Sequence, residues 1–301
     1  MTEILDPELS EVLDFDKFGF LEPIPDNDFD NALAKIIYDD CYKQGMAYFR
    51  AIVKQEELSE RALALTSLLI MFNPAHYTVW SYRTKVLLAL GDEAIQNELS
   101  WMDQVAPHFQ KNYQVWPHRQ QLVQRTGDYK REIAFTETML QLDSKNYHVW
   151  SHRLWLVQQT REFAAENSYT QAMILQDPYN NSAWNHRYTV LFELNAAEMD
   201  EASLTTELQY INEQLLNFPD NQSVWNYFFG VMDYAPNHNF KELVISLEPT
   251  MSSTNALFLE AKAKVLPKIE ATKIYESLAN EIDPVHACYW RYLAKSLDDE
   301  A

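Results

Sequence analysis

Five tryptophans, Trp80, Trp116, Trp150, Trp184 and Trp225, stand at steps of 36, 34, 34 and 41 residues. Each sits in a similar short text: HYTVWSYR, NYQVWPHR, NYHVWSHR, NNSAWNHR and NQSVWNYF. Asn precedes Trp by four residues in four of the five. Arg follows it by three in four (Arg83, Arg119, Arg153, Arg187), and His by two in three (His118, His152, His186). A repeat of this length is one supersecondary unit used again and again, so the chain must stack units rather than wrap a single core.

The unit reads as a helical hairpin. Gly91 and Gly127 fall eleven residues after their Trp, and Asn195 and Pro236 take the same offset in the fourth and fifth copies. Gly and Asn tolerate the left-handed conformation that closes a helix, and Pro stops one. A helix is therefore expected from just before each Trp to about ten residues beyond it. Asp92 and Asp128 are placed to cap the second helix. In that helix, as in DYKREIAFTETMLQL, apolar residues recur at three-and-four spacing. It ends on DSKN or DPYN, whose Asn caps the next helix. Such hairpins cannot bury both faces alone, which predicts an all-α fold, a right-handed α-α superhelix of stacked hairpins. Residues 29–301 read as one domain of this kind, and residues 1–28 as a loosely held acidic arm. Past Trp225 the motif fades. Residues 238–281 still read as helices, and DPVHACYWRYL, from Asp283, brings a last pair, Trp290 and Arg291.

Trp and Arg at i and i+3 share one helix face. The physical expectation is that Trp packs between layers while Arg is tied to backbone or carboxylate groups of the neighbouring layer. The histidines recur one per layer, a spacing that suits the fold better than a metal site. Some copies depart from the pattern: His76 stands where Asn is expected, Tyr82 where His is, and Phe228 where Arg is. Pro117 falls past the first turn if Asn112 is the cap, so it either kinks that helix or delays its start.

Composition narrows the function. A net charge of −20 argues against nucleic acid, whose binding runs on Lys/Arg–phosphate contacts. Five glycines in 301 residues, with no GxGxxG or GxxxxGK, leave no phosphate-binding loop, and GxSxG and HExxH are also absent. Two distant cysteines, Cys41 and Cys288, offer neither a disulfide framework nor a zinc site. No apolar run is long enough for a membrane span, and the acidic start is not a targeting sequence, so a cytoplasmic protein is expected.

The most informative pair is KNYQVWPHR (Lys111–Arg119) and KNYHVWSHR (Lys145–Arg153), which agree at seven of nine positions. A lysine just before a helix start adds a full charge where the dipole already favours an anion. Two residues before Trp the letters vary, Thr78, Gln114, His148, Ser182 and Ser223, as expected where a stack faces something particular. Tyr113 and Tyr147 either line the same mouth or pack the seam between layers.

The period of 34 is also that of tetratricopeptide repeats, but the small Ala and Gly of that motif are not supplied. The repeated NxxxWxxR instead resembles the signature of protein prenyltransferase α subunits. The segment from IPDNDFDNALAK to KQEELSERAL resembles that family's entry, and DPVHACYWRYL its close, so the likeness covers roughly residues 24–295. KNYQVW favours the branch shared by protein farnesyltransferase and geranylgeranyltransferase type I. The resemblance implies a crescent of hairpins wrapped around a β subunit that carries Zn2+, the isoprenoid cavity and most of the peptide site. Mg2+ is implied for the farnesyl form. The implied reaction moves a farnesyl or geranylgeranyl group from its diphosphate to the cysteine thiol of a C-terminal CaaX sequence. Carried over residue by residue, it places Lys111 at the diphosphate and Gln114 at the peptide carboxylate. Tyr147 and His148 then lie near both, and Tyr113 at the same mouth. Lys111, Tyr147 and His148 form the implied catalytic set, with no metal ligand in this chain. Lys145 either shares the diphosphate role or is an echo of the repeat. The alternatives are a Rab geranylgeranyltransferase α subunit and a non-catalytic helical scaffold.

Overall fold

The computed structural model describes residues 21–26 and 36–299, and among them every regular element is helical. The chain divides into two compact units, residues 1–156 and 157–301. The first holds α1 (Asp40–Lys54), α2 (Glu60–Phe72), α3 (Tyr77–Leu90), α4 (Asp92–Val105), α5 (Val115–Thr126), α6 (Tyr129–Leu142) and most of α7 (Tyr147–Thr160). The second holds α8 (Phe163–Gln176), α9 (Asn181–Tyr188), α10 (Glu201–Asn217), α11 (Gln222–Tyr234), α12 (Lys241–Leu247), α13 (Ala256–Val265), α14 (Lys268–Ser277) and α15 (Ala287–Asp299).

The repeated Trp and Asn act together. Every repeat Trp is buried. An indole N–H in apolar surroundings needs an acceptor, and each finds the carbonyl six residues upstream. Trp80 donates to Pro74 O at 2.8 Å, Trp116 to Gln110 O at 3.2 Å, Trp150 to Ser144 O at 2.9 Å, Trp184 to Pro178 O at 2.9 Å and Trp225 to Pro219 O at 2.7 Å. The Asn of the following repeat donates to the same carbonyl: Asn112 Nδ2 to Pro74 O (2.7 Å), Asn146 to Gln110 O (3.4 Å) and Asn221 to Pro178 O (2.7 Å). Its Oδ1 meanwhile accepts from the first turn of its own helix, as from His148 N, Ser182 N and Ser223 N, or, before the late start of α5, from Gln114 N in the turn that leads into it. One amide thus caps a helix and pins it to the layer before. Asn255 does the same, donating to Pro219 O at 2.9 Å and accepting from Phe258 N, although no Trp follows it. The spacing continues one layer beyond the point where the tryptophans stop.

Helix ends follow the expected chemistry with three differences. Gly91 (φ 98°) and Gly127 (φ 73°) adopt positive φ. In the third copy Arg161 takes that offset at φ 57°, a conformation the side chain alone does not advertise. Asn195 is not left-handed, because α9 passes into a π-helical stretch, Thr189–Leu194, which closes the helix differently. Asp128 caps α6 by accepting from Arg131 N, but Asp92 caps nothing and is the first residue of α4.

Pro117 delays its helix. The sister helix α7 begins at Tyr147, but α5 begins only at Val115, two residues later than the matching Tyr113. Pro has no N–H for the carbonyl four residues upstream, and its ring crowds that carbonyl, so Tyr113 stays outside the helix.

Of the acidic arm, residues 21–26 are held: Leu21 is buried, Ile24 N donates to Ala47 O at 3.1 Å, and Arg50 Nε donates to Ile24 O at 2.7 Å. The remainder of residues 1–28 lies outside the described residues. At the far end Trp290 is buried and donates to Asp283 Oδ2, while Arg291 is exposed and reaches Asn280, so this pair does not copy the Trp–Arg geometry of the repeats.

Candidate functional site

The repeated Arg and His do not face a ligand. They build a buried ladder with glutamates from the second helices. Arg83 Nε donates to Glu98 Oε1 at 2.7 Å, and His118 Nε2 lies 2.8 Å from the same oxygen. One layer on, Arg119 grips Glu132 with two donors at 2.8 and 2.7 Å, and His152 Nε2 sits 2.7 Å away. His186 meets Glu166 at 2.7 Å, while Arg187 holds Glu207 at 2.7 and 2.6 Å, and there Tyr227 donates its hydroxyl in place of a His. An aromatic ring lies under the guanidinium in each fully described rung: Trp101 under Arg83, Phe135 under Arg119 and Tyr210 under Arg187.

Burial alone would raise the Glu98 carboxyl, but Arg83 and the His118 hydrogen bond outweigh it and hold it at about 2. Glu132 is held at about 2 in the same way by Arg119 and His152. Full burial pushes His118 below the ordinary imidazole value against the pull of Glu98, with Arg83 and Arg119 adding to the push. Its contact with Glu98 is within ion-pair range but is a hydrogen bond from a neutral ring, whose Nδ1 faces Thr84 Oγ1 at 2.8 Å. The four glutamates are the residues that reading the sequence missed. The signal was present: each stands twenty residues before the His or Tyr it bonds.

The irregular first and fifth copies are absorbed locally. Tyr82 donates to the backbone at Glu57 O (2.8 Å), and Phe228 replaces the guanidinium with a buried ring packed on Phe240. His76 caps nothing with its side chain.

With Arg and His spent on the frame, the variable residues stand at the helix N-termini. Lys111, Asn112 and Tyr113 form the turn before α5, Gln114 is its N-cap, and Tyr147 and His148 open α7. Tyr113 and Tyr147 are 72% and 74% exposed, so they are not packed in the seam. Both rings contact His148. The Tyr113 ring meets it edge-on at 4.5 Å across the layer boundary, and Tyr147 meets it at 5.5 Å. This half-buried setting lowers the His148 pKa, so the ring is neutral at neutral pH. Lys111 and Lys145 are both exposed on this edge. Gln114 is half-buried. Among the described residues, no three His, Cys, Asp or Glu gather as metal ligands, and no helix is long and apolar enough to cross a membrane.

The family described as "Protein prenyltransferase alpha subunit repeat" matches residues 59–90, 95–126, 129–160, 163–194 and 204–235, more than half the chain. A protein farnesyltransferase/geranylgeranyltransferase type-1 subunit alpha of Schizosaccharomyces pombe is 50% identical over 291 residues, 97% of this chain and 98% of that protein. The chain belongs to the protein prenyltransferase alpha subunits. Another type-1 alpha subunit, from Candida albicans, is 35% identical over 133 residues, 42% of this chain and 44% of that one. The solved Candida albicans protein geranylgeranyltransferase-I complexed with GGPP matches with a TM-score of 0.82 at 32% identity, covering 93% of this chain and 98% of that chain. In this alpha subunit the five matched stretches each run from a second helix into the following Trp helix, and the last four each contain one glutamate-to-histidine or glutamate-to-tyrosine span.

Proposed function

We propose that this alpha subunit pairs with a β subunit to transfer a farnesyl or geranylgeranyl group from its diphosphate to a CaaX cysteine thiol. In this reading its own contribution is the edge formed by Lys111, Tyr113, Gln114, Tyr147 and His148. The observation that carries the reading is the cross-layer closure of Tyr113 on His148 beside Lys111. It makes one composite edge out of two repeats, at helix starts where backbone dipoles favour an anion. His148 is neutral, so Lys111 is the cation available in the set. Charge grows on the diphosphate oxygen as the carbon–oxygen bond breaks, and a fixed cation there stabilises the transition state more than the bound substrate. Tyr147 and His148 orient the leaving diphosphate as neutral hydrogen-bond donors. Gln114 donates its amide to the peptide carboxylate.

Zinc, and magnesium for the farnesyl form, are assigned outside this chain. No three candidate ligands gather among its described residues, and the two cysteines lie on α1 and α15. When bound, zinc would supply a thiolate from the CaaX cysteine. We also place the enzyme in the cytoplasm.

Co-expression with each type of β chain tests the proposal, followed by assays with farnesyl and geranylgeranyl diphosphate and CaaX peptides. Turnover with at least one pair, and none with the alpha subunit alone, is expected. Stable complexes that never turn over would leave a scaffold. Activity only on escort-delivered Rab proteins would move the chain to the type-2 branch.

A further inference from the structure

The second unit holds a cavity of about 340 Å³ between the neighbouring helices α9 and α11, within the ligand-pocket range of about 300–1,000 Å³. A glycine shapes its floor. Gly230 stands five residues after its Trp, where the other four copies carry Lys85, Gln121, Trp155 and Thr189. The Tyr188 ring lies over it. A Cβ on Gly230 would meet Tyr188 Cε2 at 2.9 Å, and the Tyr188 hydroxyl donates to Gly230 O at 3.3 Å. Immediately after Tyr188 the helix passes into the π-helical stretch Thr189–Leu194, a feature frequent at functional sites.

The polar groups of the lining are partly spent and partly free. Trp184 Nε1 donates to Pro178 O, the Tyr227 hydroxyl donates to Glu207, and Asp233 lies 4.0 Å from Lys264 Nζ. Asn181, Asn185, Asn226 and Ser223 make no side-chain hydrogen bond among the described residues. Ser223 is only 8% exposed, so its hydroxyl sits in the wall without a partner, and a buried hydroxyl left unbonded is costly. These free groups are neutral, and each can both donate and accept. The set suits neither an anion nor a cation. It matches peptide groups, which offer one donor and one acceptor apiece. Asn185 and Asn226 share one offset, the residue after Trp, where the earlier copies have Ser81, Pro117 and Ser151. Packed helices stand about 8–10 Å apart, roughly the length of three extended residues, so two amides in this register can bond one extended strand at two points. Asn181 takes the repeat position of Tyr113 and Tyr147, and Ser223 that of Gln114 and His148. Equal positions face the same way within their own layers, so the partner met by the edge is also the partner for this cavity. We propose that the cavity receives an extended, uncharged stretch of β-subunit backbone, an inference that rests on the pairing with a β subunit proposed above.

The test compares purified heterodimers that carry the wild-type alpha chain or the double variant Asn185→Ala, Asn226→Ala. Both changes are exposed and leave the caps and the ladder untouched. Dissociation is followed by exchange against labelled wild-type alpha chain. The double variant should leave the β subunit about tenfold faster or more, since changes at an interface act mainly on dissociation. The single-turnover rate of the intact heterodimer should not change. Ser168→Ala, exposed on α8, should alter neither reading. A second measurement places a benzophenone on Asn226→Cys in a chain that also carries Cys41→Ser and Cys288→Ser. Irradiation should couple it to the β chain, and the same label on Ser168→Cys should not couple. Unchanged dissociation of the double variant, equal coupling from Ser168→Cys, or coupling of the Asn226→Cys label to a second alpha chain or to no chain would overturn this inference and leave the heterodimer reading standing. A wild-type chain that pairs with no β subunit would overturn both.

Discussion

The starts of α5 and α7 carry almost the same nine letters and do not have the same structure. Both have Lys, Asn and Tyr in order, and both are pinned through Asn to the layer before. In α7 the Tyr is the first helical residue. In α5 Pro117 removes the N–H that would close the first turn, and the helix waits until Val115. Tyr113, left outside, stands against His148 of the next layer. The repeat has therefore not made two equal sites. A single proline offsets one copy so that the two interlock, and a composite edge results that neither repeat could form alone.

The comparison breaks most severely if the shared frame is removed. Arg119→Ala leaves Glu132 buried with His152 as its remaining partner, and loss of one member of a buried pair costs about 3–5 kcal/mol. Chemical denaturation of the heterodimer should show that loss, while Lys111→Ala at the edge should leave the midpoint in place. The same frame sets the acid limit. Glu98 and Glu132 have folded pKa values of about 2, below their unfolded values, so their stabilisation is complete above about pH 5 and is lost as pH falls toward 2. His118, with a lowered folded pKa, adds a loss that begins as pH drops below the ordinary imidazole range, because the unfolded ring takes up a proton first. Melting temperature measured from pH 7 to pH 3 should fall throughout, and a flat profile would contradict the ladder.

At the edge, Gln114→Ala should weaken CaaX peptide binding by about 1.5–3 kcal/mol, the worth of a hydrogen bond to a charged group. Isoprenoid diphosphate affinity, measured on the same protein, should change little. Equal losses for the two ligands would place Gln114 elsewhere.

Lys111→Ala should slow the single-turnover rate at saturating isoprenoid about tenfold or more, where each tenfold is about 1.4 kcal/mol. Lys145→Ala should cost less. A larger loss at Lys145 would assign the anion to the other layer, and no loss at either would make the lysines repeat architecture.

The smallest effect, and the sharpest probe of the difference between the twins, is Pro117→Ser, which gives α5 the residue found in α7. Stability should change by no more than about 1 kcal/mol. The helix should start earlier and carry Tyr113 away from His148. Relieved of part of its burial, the His148 ring should titrate nearer its ordinary value when followed by NMR.

Much of this protein could be read without coordinates because its information is local and repeated. Trp spacing, the Asn caps and the closing glycines each act within one helix or one turn, and five copies average out the irregular ones. The type of fold followed, and so did the position of the edge residues, since a variable letter inside a constant frame marks a surface under its own demands. Three things needed the tertiary structure. The glutamates of the ladder are ordinary letters on amphipathic helices, and only packing at zero or near-zero exposure makes Arg119 and Glu132 an obligatory pair. Pro117 had two physical outcomes, a kink or a late start, and α5 takes the late start. Finally, Tyr113 and His148 lie thirty-five residues apart in the chain. Periodicity says which layer each belongs to, but whether two rings meet depends on the offset of one helix start against the next, which is a distance between elements and not a property of either.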